Sequence, residues 1–279
     1  VARLIGKIVT RSRTGAYAHN ILGHVRQLFA WAIEQDVYGL QASPYDRIRP
    51  KKLIGKKKSR DHVLNDDELV ALWRAAAKTA YPLGPVVQVL LLTGCRLSEV
   101  TDAVWPEFAL TGVRPLWTIP AERFKQDAQH LVPLTADLVA ALKALPRWPH
   151  SDFLFSRDGT KPVEFTSKAK KRVDRRMLRT LQALARRAGE DPNKVKLRPW
   201  VLHDLRRTMR TRLGELRVPE PIAEMVIGHA KKGLVRVYDQ HKYQDQIREA
   251  LTAWNARLRT IINPPPDNVV SLREERTSS

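Results

Sequence analysis

Apolar residues recur at helical spacing through most of this chain, and that rhythm restricts the fold more than any other feature. Tyr17, Ile21, Val25, Leu28 and Ala32 step by three or four, the mark of a helix with one buried stripe. The helix is expected to end around Tyr38-Gly39, ahead of a turn at Ser43-Pro44. Val86–Leu92 is a short apolar run closing on Thr93-Gly94, read as a buried helix. Further helical patterns cover about 135–144, 166–188, 203–216, 220–227 and 245–261. Asn65 followed by Glu68 has the form of a capping box. Trp117–Ile119 and His130–Val132 instead read as two strands, joined by a long turn that carries Lys125. The expected fold is mainly α with a small antiparallel β-sheet, without internal repeats.

Charge narrows the partner. The 279 residues carry a net +20 at pH 7, with a pI near 10.4. Residues 1–60 hold 13 Lys and Arg against 3 Asp and Glu, half of that excess. A second cluster runs from Lys168 to Arg187. One such cluster alone reads as a solvated face, but several with so few acids point to nucleic acid. Membrane-surface binding fits less well, since no basic segment has a bulky apolar face. No apolar run is long enough for a transmembrane helix, and the basic N-terminus lacks the apolar core of a secretory signal. The chain lacks a starting Met and begins as if inside a domain, so a fragment is expected. Cys95 is the only cysteine; this fits a reducing cytoplasm. No Cys/His cluster has zinc spacing, and no Gly-rich phosphate loop occurs.

A set of polar residues remains, in the order Arg96, Lys125, His203, Arg206, His229, Tyr238. Taken singly they are weak signals. Arg96 reads as a surface arginine paired with Glu99, three residues on. His203 and Arg206 share a helix face, with Asp204 available to cap. Gly228 reads as a helix C-terminus that presents His229, and a lone histidine is more often satisfied in a core. Tyr238 or Tyr243 reads as a partly buried aromatic. Together they supply what metal-free cleavage of a phosphodiester needs. Arginine offers a planar fork of donors to phosphate oxygens. Histidine donates or moves a proton near neutral pH. A tyrosine hydroxyl, with a reference pKa of about 10, needs a base or cations to act as a nucleophile.

The segments LLLTGCRLSEV, AERFKQD, HDLRRT and IGHAKKGLVRVYDQ, in this order and spacing, resemble the tyrosine recombinase (phage integrase) family, and most closely its prophage and genomic-island integrases. The resemblance implies an α+β catalytic domain plus a helical core-DNA-binding domain, closing as a C-shaped clamp on DNA. It implies a partial core-binding domain over 1–46, a basic interdomain linker over 47–60, a catalytic domain over 61–262 and a flexible tail over 263–279. Arg96 and Arg206 match the family's phosphate-holding arginines, with Glu99 as the acidic partner of the first. His203 and His229 match its two histidines, Lys125 its hairpin lysine and Tyr238 its nucleophile, with Tyr243 as decoy. Lys161 and Lys143 fit the lysine role less well, since neither sits in the hairpin.

The implied activity is site-specific strand cleavage and rejoining through a 3′-phosphotyrosyl link, without metal, ATP or other cofactor. The implied partners are double-stranded DNA at attachment sites and further copies of the chain, as a homotetramer on paired sites and a monomer in solution. Accessory DNA-bending or excision factors are also implied, with no membrane; the setting would be the bacterial cytoplasm, at the nucleoid. Candidate DNA contacts are Arg47, Arg49, Lys51, Lys52, Lys56, Lys57, Lys58, Lys168, Lys171, Arg172 and Arg207. The stripe Ile247, Leu251, Trp254, Leu258 and Ile261 fits packing on its own domain or docking on a neighbour. A non-catalytic, sequence-specific or architectural DNA-binding protein explains charge and helices equally well, but not the order of the six residues. A topoisomerase of the same chemistry would differ in needing only one site.

Overall fold

The computed structural model describes residues 2–11, 15–56, 60–124, 129–229 and 243–264. The chain divides into two compact units, Val1–Asp61 and His62–Ser279.

The first unit contains α1 (Ala2–Arg11), α2 (Gly15–Glu34) and α3 (Pro50–Ile54). Ile5, Ala18 and Leu22 form its small core, with Ile8, Ile21, Tyr45, Ile48, Leu53 and Ile54 packed around it. The helix expected from residue 17 forms, but its inward face is turned. Ala18 and Leu22 are buried, whereas Tyr17 and Leu28 are each 58% exposed. A mixed apolar surface supports two neighbouring stripes, and packing against α1 and α3 selects one. The helix also stops earlier than expected, at Glu34; Asp36 just beyond takes a left-handed φ of 50°.

Within the basic run over 47–60, expected as a linker, residues 50–54 form α3. Pro50 stands in the first turn of α3, where its missing N–H costs nothing. Leu53 and Ile54 turn onto the core of the unit, while Lys51 and Lys52 face outward. With Ile48, the run therefore has three apolar residues to bury, which its basic neighbours mask in the sequence.

The second unit begins with α4 (Asp66–Ala77), capped as the Asn65/Glu68 pair predicts. Asn65 Oδ1 accepts from the Glu68 N–H at 2.8 Å, and Glu68 Oε2 accepts from the Asn65 N–H at 3.0 Å. Next, α5 (Leu83–Thr93) is apolar all round and buried nearly throughout. It stops at Gly94, whose φ of 66° is left-handed. A β-carbon there would also lie 2.3 Å from Met209 Sδ, so glycine is required twice over.

The short helix α6 (Leu97–Thr101) follows, then a three-stranded antiparallel sheet ordered β1 (Phe108–Ala109), β2 (Leu116–Ile119), β3 (His130–Pro133). The register pairs Phe108 with Trp117, Trp117 with Val132 and Ile119 with His130. The remaining helices are α7 (Ala136–Lys143), α8 (Ser167–Arg187), α9 (His203–Glu215), α10 (Glu220–Val226) and α11 (Gln244–Ile262). Val173 and Met177 turn the apolar face of α8 inward. The stripe of α11 is buried within its own unit: Ile247, Leu251, Trp254, Leu258 and Ile261 are all at most 7% exposed. Trp254 Nε1 donates to the Leu91 carbonyl at 2.7 Å, and Asn255 Nδ2 to Thr135 Oγ1 at 2.7 Å. Among the described residues, no helix is long and apolar enough to cross a membrane.

Candidate active site

Three local structures converge in the second unit: the Gly94 corner, the start of α9 and the end of α10. At the corner, α6 begins immediately after Arg96. Glu99, 2% exposed, reaches back one turn. Its Oε2 accepts from the Arg96 N–H at 2.7 Å, and its Oε1 accepts from Arg96 Nη1 at 2.5 Å. One carboxylate therefore caps the helix and aims the guanidinium. The guanidinium also lies over the Phe124 ring, 5.2 Å from its centroid.

Arg206 comes from α9 and is only 3% exposed. Its Nη1 donates to the Gly94 carbonyl at 3.0 Å. Its Nε and Nη2 are buried without a hydrogen-bond partner among the described residues. Burial, then the nearby charge of Arg96, pushes its pKa down to about 10, so it stays protonated at neutral pH. Two cations thus share one corner, one with buried donors to spare. An anion there would relieve both the repulsion and the missing hydrogen bonds.

His203 stands exposed in the first turn of α9, one turn from Arg206. Asp204 Oδ2 accepts from the Val201 N–H at 2.9 Å and holds that helix start, and Asp204 also pairs with Arg207. Partial desolvation lowers the His203 pKa, and Arg206 and Arg207 lower it further.

His229 lies just past α10. Gly228 has a left-handed φ of 64°. Its N–H donates to the Met225 carbonyl at 2.9 Å, and the His229 N–H donates to the Glu224 carbonyl at 2.8 Å. The turn thus ends the helix and projects His229. A β-carbon at position 228 would lie 2.6 Å from Phe124 Cζ. Phe124 stacks in turn on His130, with ring centroids 4.9 Å apart. His229 is no core histidine, being 46% exposed, and its Nδ1 lies 3.0 Å from Glu224 Oε2. Partial burial and then Arg206 lower its pKa, against the pull of Glu224.

Arg96, Glu99, His203, Arg206 and His229 are therefore brought together. Lys125 and Tyr238, with Lys57 and Lys58, fall outside the described residues. Tyr243 stands ahead of α11 and packs against the core. Arg47, Arg49, Lys51, Lys52 and Lys56 are exposed on the first unit, and Lys168, Lys171 and Arg172 on α8; Arg207 is half-buried against Asp204. Sequence reasoning missed Glu224, Phe124 and His130. Only Glu224 left a signal, an acid one helical turn before the Gly228 stop. Among the described residues, no group of three or more His, Cys, Asp or Glu is placed to hold a metal ion.

Residues 62–245 match the model of the phage integrase family. The chain is 30% identical over 166 residues to prophage integrase IntA of Escherichia coli K12, covering 59% of this chain and 36% of that protein. It is 24% identical over 258 residues to prophage integrase IntF of the same strain, covering 90% of this chain and 50% of that protein. The chain thus spans half or less of the length of these relatives. Its fold is similar to that of a lambda integrase (75–356) dimer bound to a COC′ core site, with TM-score 0.55 at 17% identity, covering 82% of this chain and 77% of that one. It is similar also to a lambda integrase tetramer bound to a Holliday junction, with TM-score 0.56 at 16% identity, covering 84% and 64%. The chain belongs to the phage integrase family, the tyrosine recombinases.

Proposed function

We propose that this chain is a site-specific DNA recombinase that integrates or excises a mobile element through a 3′-phosphotyrosyl intermediate. One observation carries the reading: buried Arg206, with two guanidinium nitrogens lacking partners among the described residues, beside Arg96 and flanked by His203 and His229. A scissile phosphate seated there satisfies those donors and separates the two positive charges.

In this mechanism the hydroxyl oxygen of Tyr238 attacks the phosphorus in line, and the bond from phosphorus to the 5′-oxygen breaks. Lys125 gives a proton to the leaving oxygen, and His203 takes the phenol proton. Arg96, Arg206 and His229 stabilise the charge that develops on the non-bridging oxygens. The ester energy is kept in the phosphotyrosine. A 5′-hydroxyl from a partner duplex then reverses the step and exchanges strands, so no nucleotide cofactor is consumed. Glu99 positions Arg96. The first unit acts as a core-DNA-binding domain, with Arg47, Arg49, Lys51, Lys52 and Lys56 on phosphates; Lys168, Lys171, Arg172 and Arg207 do the same from the second unit. Resemblance to a junction-bound tetramer supports assembly as a tetramer on paired attachment sites, at the bacterial nucleoid.

The test uses two duplexes carrying the element's own attachment-site cores, one labelled, in EDTA. Recombinant-length product that requires both sites supports the reading. Relaxation of a one-site plasmid without exchange would make the chain a topoisomerase. Binding without either product would leave it a DNA-binding protein.

A further inference from the structure

His229 has a partner that the mechanism above does not use. Its Nδ1 lies 3.0 Å from Oε2 of Glu224. The second carboxylate oxygen, Oε1, accepts from Arg210 Nε at 2.6 Å. The Arg210 Nη2 also lies 3.6 Å from Glu220. Arg210 reaches from α9 and Glu224 from α10, so one carboxylate ties both helices to the histidine. The same residue holds His229 through the main chain, by the 2.8 Å bond to its carbonyl. A carboxylate oxygen only accepts, so the shared proton sits on Nδ1. Nε2 is then the ring nitrogen left for a reacting group.

We infer that Glu224 is a positioning residue: steered by Arg210, it holds the His229 ring by Nδ1–H and delivers Nε2 to the phosphate. This inference rests on the reading of the site under Proposed function. The arrangement follows a general rule for working histidines, in which the bond at one nitrogen sets the tautomer and aim of the other.

Charge adds a consequence. To donate through Nε2 while Nδ1 is engaged, the ring must carry both protons. Among the described residues, the charged groups acting on it are Arg206 from α9, Arg96 from the start of α6, and Glu224 from α10. The arginines oppose the imidazolium until an anion lies between them, and Glu224 favours it throughout. A competing account makes Glu224 only an ion-pair bridge from α9 to α10. That account predicts lost stability and an evenly lowered rate, with the titration of His229 unmoved.

The experiment has two arms on the whole chain. In the first, ring-15N-labelled histidine is followed by NMR against pH, with the His229 signal assigned by His229→Gln. The wild-type neutral ring should carry its proton on Nδ1. In Glu224→Gln, which keeps shape but removes charge, the midpoint of His229 should fall. In the second arm, covalent complex on a nicked duplex of the element's attachment-site core is timed across pH. The alkaline limb should move to lower pH in Glu224→Gln, with a loss of about tenfold at the alkaline end and about twofold at the acid end.

A wild-type neutral ring protonated on Nε2 overturns the inference, and needs no variant. So does an unmoved midpoint, or an equal loss at every pH. If the wild type forms no covalent complex while the His229 midpoint still moves, the proposed function fails and the catalytic role of Glu224 goes with it. The hydrogen bond itself would then stand as measured.

Discussion

Arg206 and Lys51 carry the same charge in opposite surroundings. Arg206 is 3% exposed, tied to the Gly94 carbonyl and adjacent to Arg96. Lys51 stands in solvent on a five-residue helix whose other side is packed. A buried cation is costly, so its place in the fold is specific and its replacement is felt. An exposed cation moves freely, is screened by salt and is interchangeable with its neighbours. The contrast separates residues that would act on one phosphate from residues that would hold the duplex as a whole.

Four changes would break or sharpen that contrast. The largest effect is expected for Arg206→Lys. An ammonium cannot bond the Gly94 carbonyl and also present a planar fork, so the cleavage step should slow about 10²–10³-fold, about 3–4 kcal/mol. Single-turnover cleavage at saturating DNA measures it; a variant as fast as wild type would remove Arg206 from the chemistry.

Next comes acid stability through His130, which is buried, stacked on Phe124 and held with a pKa pushed down to about 4 by burial. The folded value lies below the unfolded value of 6.5, so the unfolded chain binds the proton first as pH falls. The contribution of His130 is thus constant above pH 6.5 and is lost progressively down to about pH 4, to a total of about 3 kcal/mol. Urea midpoints across that window should fall for wild type and flatten for His130→Gln. Equal slopes would show that other groups govern the acid limb.

Glu99→Gln should cost less, about 2 kcal/mol of transition-state stabilisation, because it weakens the charge-assisted bond that aims Arg96 without removing the arginine. The cleavage rate should fall about 30-fold at saturating DNA, with binding largely retained. A loss confined to binding would contradict a positioning role. The smallest effect is expected for Lys51→Ala with Lys52→Ala. Affinity should weaken about five- to tenfold, and the slope of log affinity against log salt should become shallower by about 2. An unchanged slope would mean that these lysines do not face phosphate.

The same contrast governs what was legible in the sequence. Features written in adjacent residues could be read directly: the Asn65/Glu68 cap, the glycine stop after α5, the hairpin of β2 and β3, and the apolar stripe of α11, though not what that stripe packs against. Features that arise from packing could not. The two-residue strand β1 is too short for alternation to register. The inward face of α2 depends on helices that the stripe alone does not reveal. Leu53 and Ile54 are hidden among lysines in a run that reads as linker. At the site, Arg96 and Glu99 stand three apart, so their pairing was visible. The stacking of Phe124 on His130 beneath Gly228 spans three elements and leaves no local mark. Glu224 meets His229 only because Gly228 reverses the chain, a contact that helical spacing does not produce.

The central claim is that the arginine and histidine cluster serves a tyrosine nucleophile at position 238. The direct measurement is a nicked-duplex trapping assay in EDTA with wild type, Tyr238→Phe and Tyr243→Phe, using the element's own attachment-site core. A protein–DNA band that survives denaturation and disappears only in Tyr238→Phe is the predicted result. A band that persists in Tyr238→Phe and disappears in Tyr243→Phe would contradict the assignment, and no band from wild type would contradict the chemistry.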